Sequence, residues 1–218
     1  MRSLIGCRLI LAGLLALPFT AFAAPNFDPL AIAAWLQDQQ SAAPLTLTHP
    51  NPFSNGKPWL LIGVKSQTLT YYDEYGLPER QYLVSTAKLG VGEQKNSYQT
   101  PRGWHRVCEK IGDGAEKDTI IFRQTVTPWK YTEALHQQYP NKDWILTRIL
   151  WLCGMQPGLN EGGDVDSFER FIYIHGAGAH VPFGTPSSLG CVRMKSDDVI
   201  ELFDHSPIGT DVYIDENT

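Results

Sequence analysis

The sequence predicts a mostly-β domain, a sandwich or partly closed barrel carrying a few short helices. Three observations lead there. From Trp59 onward apolar residues recur in short alternating runs, turn residues separate most of these runs, and only Thr132 to Gln138 and Ser196 to Asp204 break into a helical pattern.

In chain order, Arg2 and Arg8 flank the start of an apolar run from Leu9 to Phe19, followed by the small-residue site Ala21-Phe22-Ala23. This is the pattern of a cleavable secretory signal, residues 1–23, cut after Ala23 because a cut after Ala24 would leave Pro25 first. The run is too short to span a bilayer. Leu4-Ile5-Gly6-Cys7 resembles a lipid-attachment site but precedes the apolar run it should follow. Residues 24–57 then hold one short helix, opened by Asp28 as cap and Pro29 in its first turn, and a wrap-around linker rich in proline (Pro44, Pro50, Pro52) with Asn55-Gly56.

The β domain is assigned to residues 58–218. Its expected strands are Trp59 to Val64, Thr68 to Tyr72, Gln81 to Ser85, Trp104 to Ile111, Thr119 to Arg123, Trp144 to Leu152, Phe171 to His175 and Asp211 to Ile214. The helix from Ser196 is read as opened by a serine cap, with Asp197 and Asp198 in its first turn.

Charge and cysteines narrow the chemistry. The formal net charge is −5, and losing Arg2 and Arg8 with the signal takes it to about −7, which argues against nucleic acid or an anionic membrane surface as partner. Export places the remaining thiols, Cys108, Cys153 and Cys191, in an oxidising compartment. One of three must be left over. If Cys191 is reactive, Cys108 and Cys153 are free to bond to each other, although two buried free thiols fit their apolar contexts equally well.

Reactivity is indeed what the C-terminal third suggests. Phe171 to His175 alternates faces, setting Tyr173 and His175 on one side and Ile172 and Ile174 on the other, with His175 looking out from the core. Gly176-Ala177-Gly178 lets a carbonyl return to the imidazole Nδ1 and fix its tautomer, leaving Nε2 for a thiol. In Ser188-Leu189-Gly190-Cys191, consecutive backbone N–H groups surround a candidate nucleophile as an oxyanion hole would. Arg193 shares an extended face with Cys191, so its guanidinium either clamps a substrate carboxylate or pairs structurally, for example with Asp197. His49, His105, His136, His180 and His205 are scattered without metal-ligand spacing, so no metal or other cofactor is expected. Trp104, Trp129, Trp144 and Tyr173 are available to line a cleft or fill the core.

The run HGAG … SSLGCVRM followed by DVIELFD, with TPRGWHRV, KIGDG, TRIL and GGDVD upstream, resembles the YkuD-type L,D-transpeptidase catalytic domain over roughly Trp59 to Ile214. The resemblance implies an L,D-transpeptidase-like β-sandwich, Cys191 as nucleophile, His175 as base, the Gly176 carbonyl as its orienting group, and Leu189 and Gly190 at the oxyanion site. It places Ser188 and Arg193 around the substrate, where Tyr173, on the face of His175, is a further candidate contact. The implied substrates are peptidoglycan stem peptides in the periplasm. A thioester on Cys191 would then pass to a second stem as a third-to-third cross-link, to water in an L,D-carboxypeptidase, or to a lipoprotein, and carbapenem-type inhibitors would acylate the same sulfur. One position departs from the family's usual Ser-His-Gly-Cys: Leu189 stands where a histidine is expected. Backbone N–H donation survives the change, a side-chain donor does not. His180 is then a candidate stand-in. A peptidoglycan-binding module with a decayed site is the rival from another class. A papain-like peptidase is disfavoured because there the cysteine precedes its histidine.

Overall fold

The computed structural model describes residues 56–218, so the signal, its cleavage site, the Asp28 helix and the linker up to Asn55 lie outside the described residues. The described residues form β1 (Trp59–Gly63), β2 (Thr68–Tyr72), β3 (Pro78–Ser85), β4 (Gly103–Ile111), β5 (Thr119–Phe122), β6 (Thr125–Lys130), α1 (Glu133–Gln138), β7 (Leu146–Gly154), β8 (Tyr173–Ala177), β9 (Val192–Lys195), α2 (Ser196–His205) and β10 (Asp211–Asp215). Eight strands close a ring in the order β4-β10-β1-β2-β3-β9-β8-β7, sealed by pairing of β4 with β7, and the β5–β6 hairpin hangs from β7. Among the described residues the mostly-β expectation therefore resolves to a closed barrel-like sheet with two α-helices. Among the described residues no helix is long and apolar enough to cross a membrane.

Alternation explains what fills the ring. Leu60, Ile62, Leu69, Val84, Leu150, Leu152, Ile174, Val192, Met194, Val212 and Ile214 turn to one face and pack into one cluster, into which α2 lays Val199, Leu202 and Phe203. Met194 is thus core, as the sequence suggests. Burying such side chains contributes about 1.5–3 kcal/mol each. A second cluster of Ile121, Ile149, Trp151 and Tyr173 occupies the other face of β7 and β8.

The structure corrects several expectations. Strand β6 was not expected because TVTPWK is exposed almost throughout and carries a proline, so it has no buried face to impose alternation. Four-residue β9 was hidden behind the cysteine motif. Strand β8 starts at Tyr173 rather than Phe171 and runs on through Gly176 and Ala177. Helix α1 starts one residue later than expected because Thr132 caps it, its Oγ1 accepting from the Leu135 N–H at 3.2 Å. Helix α2 is capped by Lys195 with no side-chain bond. Ser196 is instead its first residue, and its hydroxyl donates to Asp118 Oδ1 (2.7 Å) and accepts from Thr147 Oγ1 (3.0 Å).

Cys108 and Cys153 are joined in a disulfide across a sequence separation of 45, which settles their alternatives. It lies where it matters topologically: Cys108 is the bulged residue between Val107 and Glu109 in the β4–β7 pairing that closes the ring. Nearby, His105 is fully buried, its Nδ1 3.0 Å from the Gly103 carbonyl and its Nε2 3.0 Å from the Ser167 hydroxyl.

Two outcomes follow. Replacing Cys108 and Cys153 by alanine is expected to remove about 4 kcal/mol of stability, the loop-closure entropy of a bridge of this span, measured by urea unfolding of the oxidised parent and double variant. Burial lowers His105 to about 4 from its ordinary 6.5, against the Gly103 carbonyl, which pulls upward. Because the unfolded chain binds the proton more readily, stability present above pH 6.5 is lost as pH falls toward 4. The parent should therefore lose about 3 kcal/mol more than His105→Gln across that window, read from paired urea titrations at pH 7 and pH 4.

Candidate active site

Strands β8 and β9 run parallel, with Ile174 opposite Val192 and His175 opposite Arg193. Register partners in a ladder share a face, so with Ile174 and Val192 turned into the core, Tyr173, His175, Cys191 and Arg193 all turn to the opposite face. Extending the ladder by one residue sets Cys191 beside Tyr173. Strand spacing and a two-residue offset then place Cys191 and His175 about 8 Å apart at Cα, a diagonal that two side chains can bridge.

His175 is fully buried, not turned to solvent as its strand-end position suggests: it lies between paired strands, with Ile149 of β7 on one side and Arg193 of β9 on the other, and Leu146 pairs with Gly176. Strand β7 bulges between Leu146 and Ile149, where Thr147 adopts a left-handed conformation (φ 70°). Gly176 is packed so closely that an added Cβ would lie 2.6 Å from the Leu146 carbonyl oxygen. His175 Nδ1 lies 2.9 Å from the Gly176 carbonyl. A carbonyl only accepts, so in the neutral ring Nδ1 carries the hydrogen and Nε2 the lone pair. Nε2 is buried with no hydrogen-bond partner among the described residues. Burial lowers the affinity of the ring for a second proton; Asp143 and the Gly176 carbonyl oppose this, and Arg193 reinforces it.

Cys191, the one free cysteine among the described residues, is half-buried at the floor of a cleft of about 350 Å³ walled by Ile121, Phe122, Gln124, Asp143, Phe171 and Tyr173. Its thiol donates to the Phe171 carbonyl at 3.3 Å, and Phe171 itself is left-handed (φ 57°). Burial pushes the thiol up to about 12, the Asp143 carboxylate adding to the rise while the Tyr173 amide, Arg193 and Arg170 pull down. Thiol and imidazole are therefore both neutral at rest.

The turn before Cys191 is held from several sides. Ser188 is fully buried; its hydroxyl donates to the Cys191 carbonyl at 2.5 Å and accepts from the Gly190 N–H at 3.2 Å. It holds the turn instead of reaching into the cleft. The Ser188 N–H goes to the Thr86 carbonyl (2.9 Å) and Thr100 Oγ1 donates to the Gly190 carbonyl (2.9 Å). Of the expected oxyanion donors Gly190 is thus engaged inside the turn, and the Leu189 and Cys191 amides are the candidates. The Leu189 side chain is 60% exposed.

Arg193 pairs with Asp143 (3.2 Å) and reaches the Ser187 carbonyl (3.2 Å). Asp197 binds Lys117 instead. Tyr173 walls the cleft with its ring buried and its hydroxyl held by Gln124 at 2.7 Å. His180 does not reach Cys191: its Nδ1 is 2.8 Å from the Tyr131 hydroxyl and its ring stacks on His136 at 3.7 Å, outside the cleft. Trp144 lines the cleft, whereas Trp104 packs against Trp59 and Trp129 is exposed outside it. Sequence reasoning missed Asp143, Arg170, Thr86 and Thr100, none of which has a local pattern marking it.

Residues 57–214 match the YkuD family, described as the L,D-transpeptidase catalytic domain. The chain is similar to the probable L,D-transpeptidase ErfK/SrfK of Salmonella typhimurium (27% identical, 71% of this chain, 43% of the relative) and to that of Escherichia coli (26%, 80% and 48%). It spans less than half the length of either. Among solved structures it is similar to L,D-transpeptidase 3 from Mycobacterium tuberculosis in complex with a faropenem-derived adduct (16% identical, 73% of this chain and 60% of that one, TM-score 0.46) and to the L,D-transpeptidase from Xylanimonas cellulosilytica (21%, 86% and 70%, TM-score 0.42). The chain belongs to the YkuD family of L,D-transpeptidase catalytic domains.

With the thiol near 12, the rate of Cys191 alkylation by iodoacetamide in the resting protein should climb about tenfold per pH unit from 7 to 10 without levelling. A plateau between pH 6 and 8 would instead reveal a thiolate–imidazolium pair.

Proposed function

We propose that this member of the YkuD family is an exported, periplasmic L,D-transpeptidase that acts on peptidoglycan stem peptides through a thioester on Cys191. One observation carries the reading: the β8–β9 register sets Cys191 and His175 on one face, with Nδ1 of His175 fixed on the Gly176 carbonyl and Nε2 buried and unpartnered. The basic start, apolar run and Ala21-Phe22-Ala23 site support export.

When substrate fills the cleft, the Cys191 thiol turns from the Phe171 carbonyl to His175 Nε2 and gives up its proton there as sulfur attacks the carbonyl carbon of the third, L-centred residue. The oxyanion settles on the Leu189 and Cys191 amides. The C–N bond to the terminal D-alanine breaks, and its amine takes the proton from Nε2. A side-chain amine of a second stem then attacks the thioester, loses its proton to Nε2, and the thiol is regenerated. The neutral resting imidazole suits this scheme, because it is a base at every pH above its lowered value. Water in place of the amine makes the same residues an L,D-carboxypeptidase. Arg193, bound to Asp143, holds the floor of the site in place and acts on substrate through that position.

Purified mature protein incubated with tetrapeptide muropeptides should release D-alanine and form third-to-third dimers, and Cys191→Ala should lower the rate at least 1,000-fold. Incubation with a carbapenem should add one inhibitor mass to Cys191. Trimmed monomers alone would establish the carboxypeptidase, and no adduct with no turnover would establish a binding module.

A further inference from the structure

The turn joining β5 to β6 consists of Arg123 and Gln124, both left-handed (φ 48° and 59°), between the paired Phe122 and Thr125. Two-residue turns of this kind are ordinarily made of Asn, Asp or Gly, because a Cβ resists positive φ. Long side chains here are poor turn formers, and strained backbone of this sort concentrates where the side chains serve another purpose. Gln124 has one: it donates to the Tyr173 hydroxyl at 2.7 Å and so ties the hairpin tip to the wall of the Cys191 cleft.

Among the described residues Arg123 has no such side-chain bond. Its guanidinium rests on the Phe122 ring, 5.5 Å from the centroid. Lys142, from the loop before β7, reaches the same ring at 5.4 Å and the Trp144 ring at 5.0 Å. All four side chains line the Cys191 cleft. Among the described residues neither cation has a carboxylate in ion-pair reach, while the neighbouring Lys130 is paired with Glu116 and the cleft's own Asp143 is taken by Arg193. In a chain of net charge −5, the mouth of this cleft is a local excess of positive charge.

Resting on the reaction proposed above, we infer that Arg123 and Lys142 form a carboxylate clamp at the cleft mouth, binding a free carboxylate of the peptide whose carbonyl faces Cys191. The guanidinium offers a planar fork to two carboxylate oxygens and the ammonium adds a point charge. The Phe122 and Trp144 faces keep both cations poised without neutralising them. Two carboxylates of the peptide carry this chemistry: the C-terminus of the residue expelled, and a carboxylate on the side chain of the third residue.

The test compares the parent with Arg123→Gly and Lys142→Gln. Glycine relieves the positive φ, so Arg123→Gly should unfold at a Tm no lower than the parent, which separates lost binding from lost fold. With tetrapeptide donor, each variant should raise KM about tenfold, the loss falling in KM rather than kcat. Amidating the carboxylate that is clamped should erase the difference between parent and variants: the C-terminal amide and the side-chain amide, tried separately, identify which one it is. A KM within twofold of the parent for both variants overturns the clamp. If the parent turns over no peptide, the reaction itself is wrong, and the clamp is decided by the ratio of Cys191 alkylation rates with iodoacetate and iodoacetamide. A severalfold lower ratio in the variants supports carboxylate capture, and an unchanged ratio overturns it.

Discussion

The parallel pairing of β8 with β9 is the constraint on which the rest of the structure depends. Opposing Ile174 to Val192 does two things at once, sending Ile172, Ile174, Val192 and Met194 into the main core and Tyr173, His175, Cys191 and Arg193 to the other face. Slipping the register by one residue would exchange the sets, burying an arginine and a thiol among aliphatic side chains. The hydrophobic core therefore enforces the geometry of the site, with no energy needed from the site's own polar groups. The β4–β7 closure and its disulfide act at the far edge of β7, the strand that pairs with β8 beside His175, so ring closure fixes a direct neighbour of the site.

Burial sets the electrostatics, and the surrounding charges modulate it. It drives the thiol up and the imidazole down, both toward the neutral forms. Asp143 pulls the two apart in effect, disfavouring the thiolate while favouring the imidazolium, and Arg193, its partner at 3.2 Å, does the reverse to each. The pair largely cancels itself across the site. Arg170 remains as a further cation that favours the thiolate, its guanidinium held 2.7 Å from the Glu93 and Gln99 carbonyls. A resting site without formed charges avoids the desolvation cost of a buried ion pair.

The sequence made legible what depends on local pattern. Alternating polar and apolar residues, as in Thr68-Leu69-Thr70-Tyr71, announce a strand, and the clustered His175, Gly190 and Cys191 point to thiol chemistry through residue type alone. What stayed hidden depends on partners distant in the chain. The exposed β6 had no face to bury, and the partner of Arg193 lies fifty residues upstream, where nothing local distinguishes Asp143 from the nearer Asp197. The Ser196 hydroxyl looked like a helix cap by position but is drawn to Asp118 and Thr147, reached only once β5, β7 and α2 have assembled. His175 looked like an outward strand end because its flanking partners in β7 and β9 have no signature in its own segment.

Leu189 shows how a departure from the family's usual histidine can leave the turn intact. Every contact that fixes this turn comes from a neighbour of position 189: Ser188 bonds to Thr86 and to Cys191, Gly190 bonds to Ser188 and Thr100, and Thr86 is itself locked to Gln67, whose side chain accepts from its amide at 2.9 Å. The side chain at 189 projects into solvent and contributes nothing to that brace. The conformation of the turn, and with it the direction of the Leu189 amide, is thus independent of what residue 189 carries, provided it is not proline. The consequence of the change falls instead on the rim, where exposed Leu189 joins Tyr98 and Phe171 around a second hollow that meets the Cys191 cleft at Phe171. An apolar side chain at that rim offers no hydrogen-bonding group to whatever enters the hollow, while the amides beside the sulfur stay where they were.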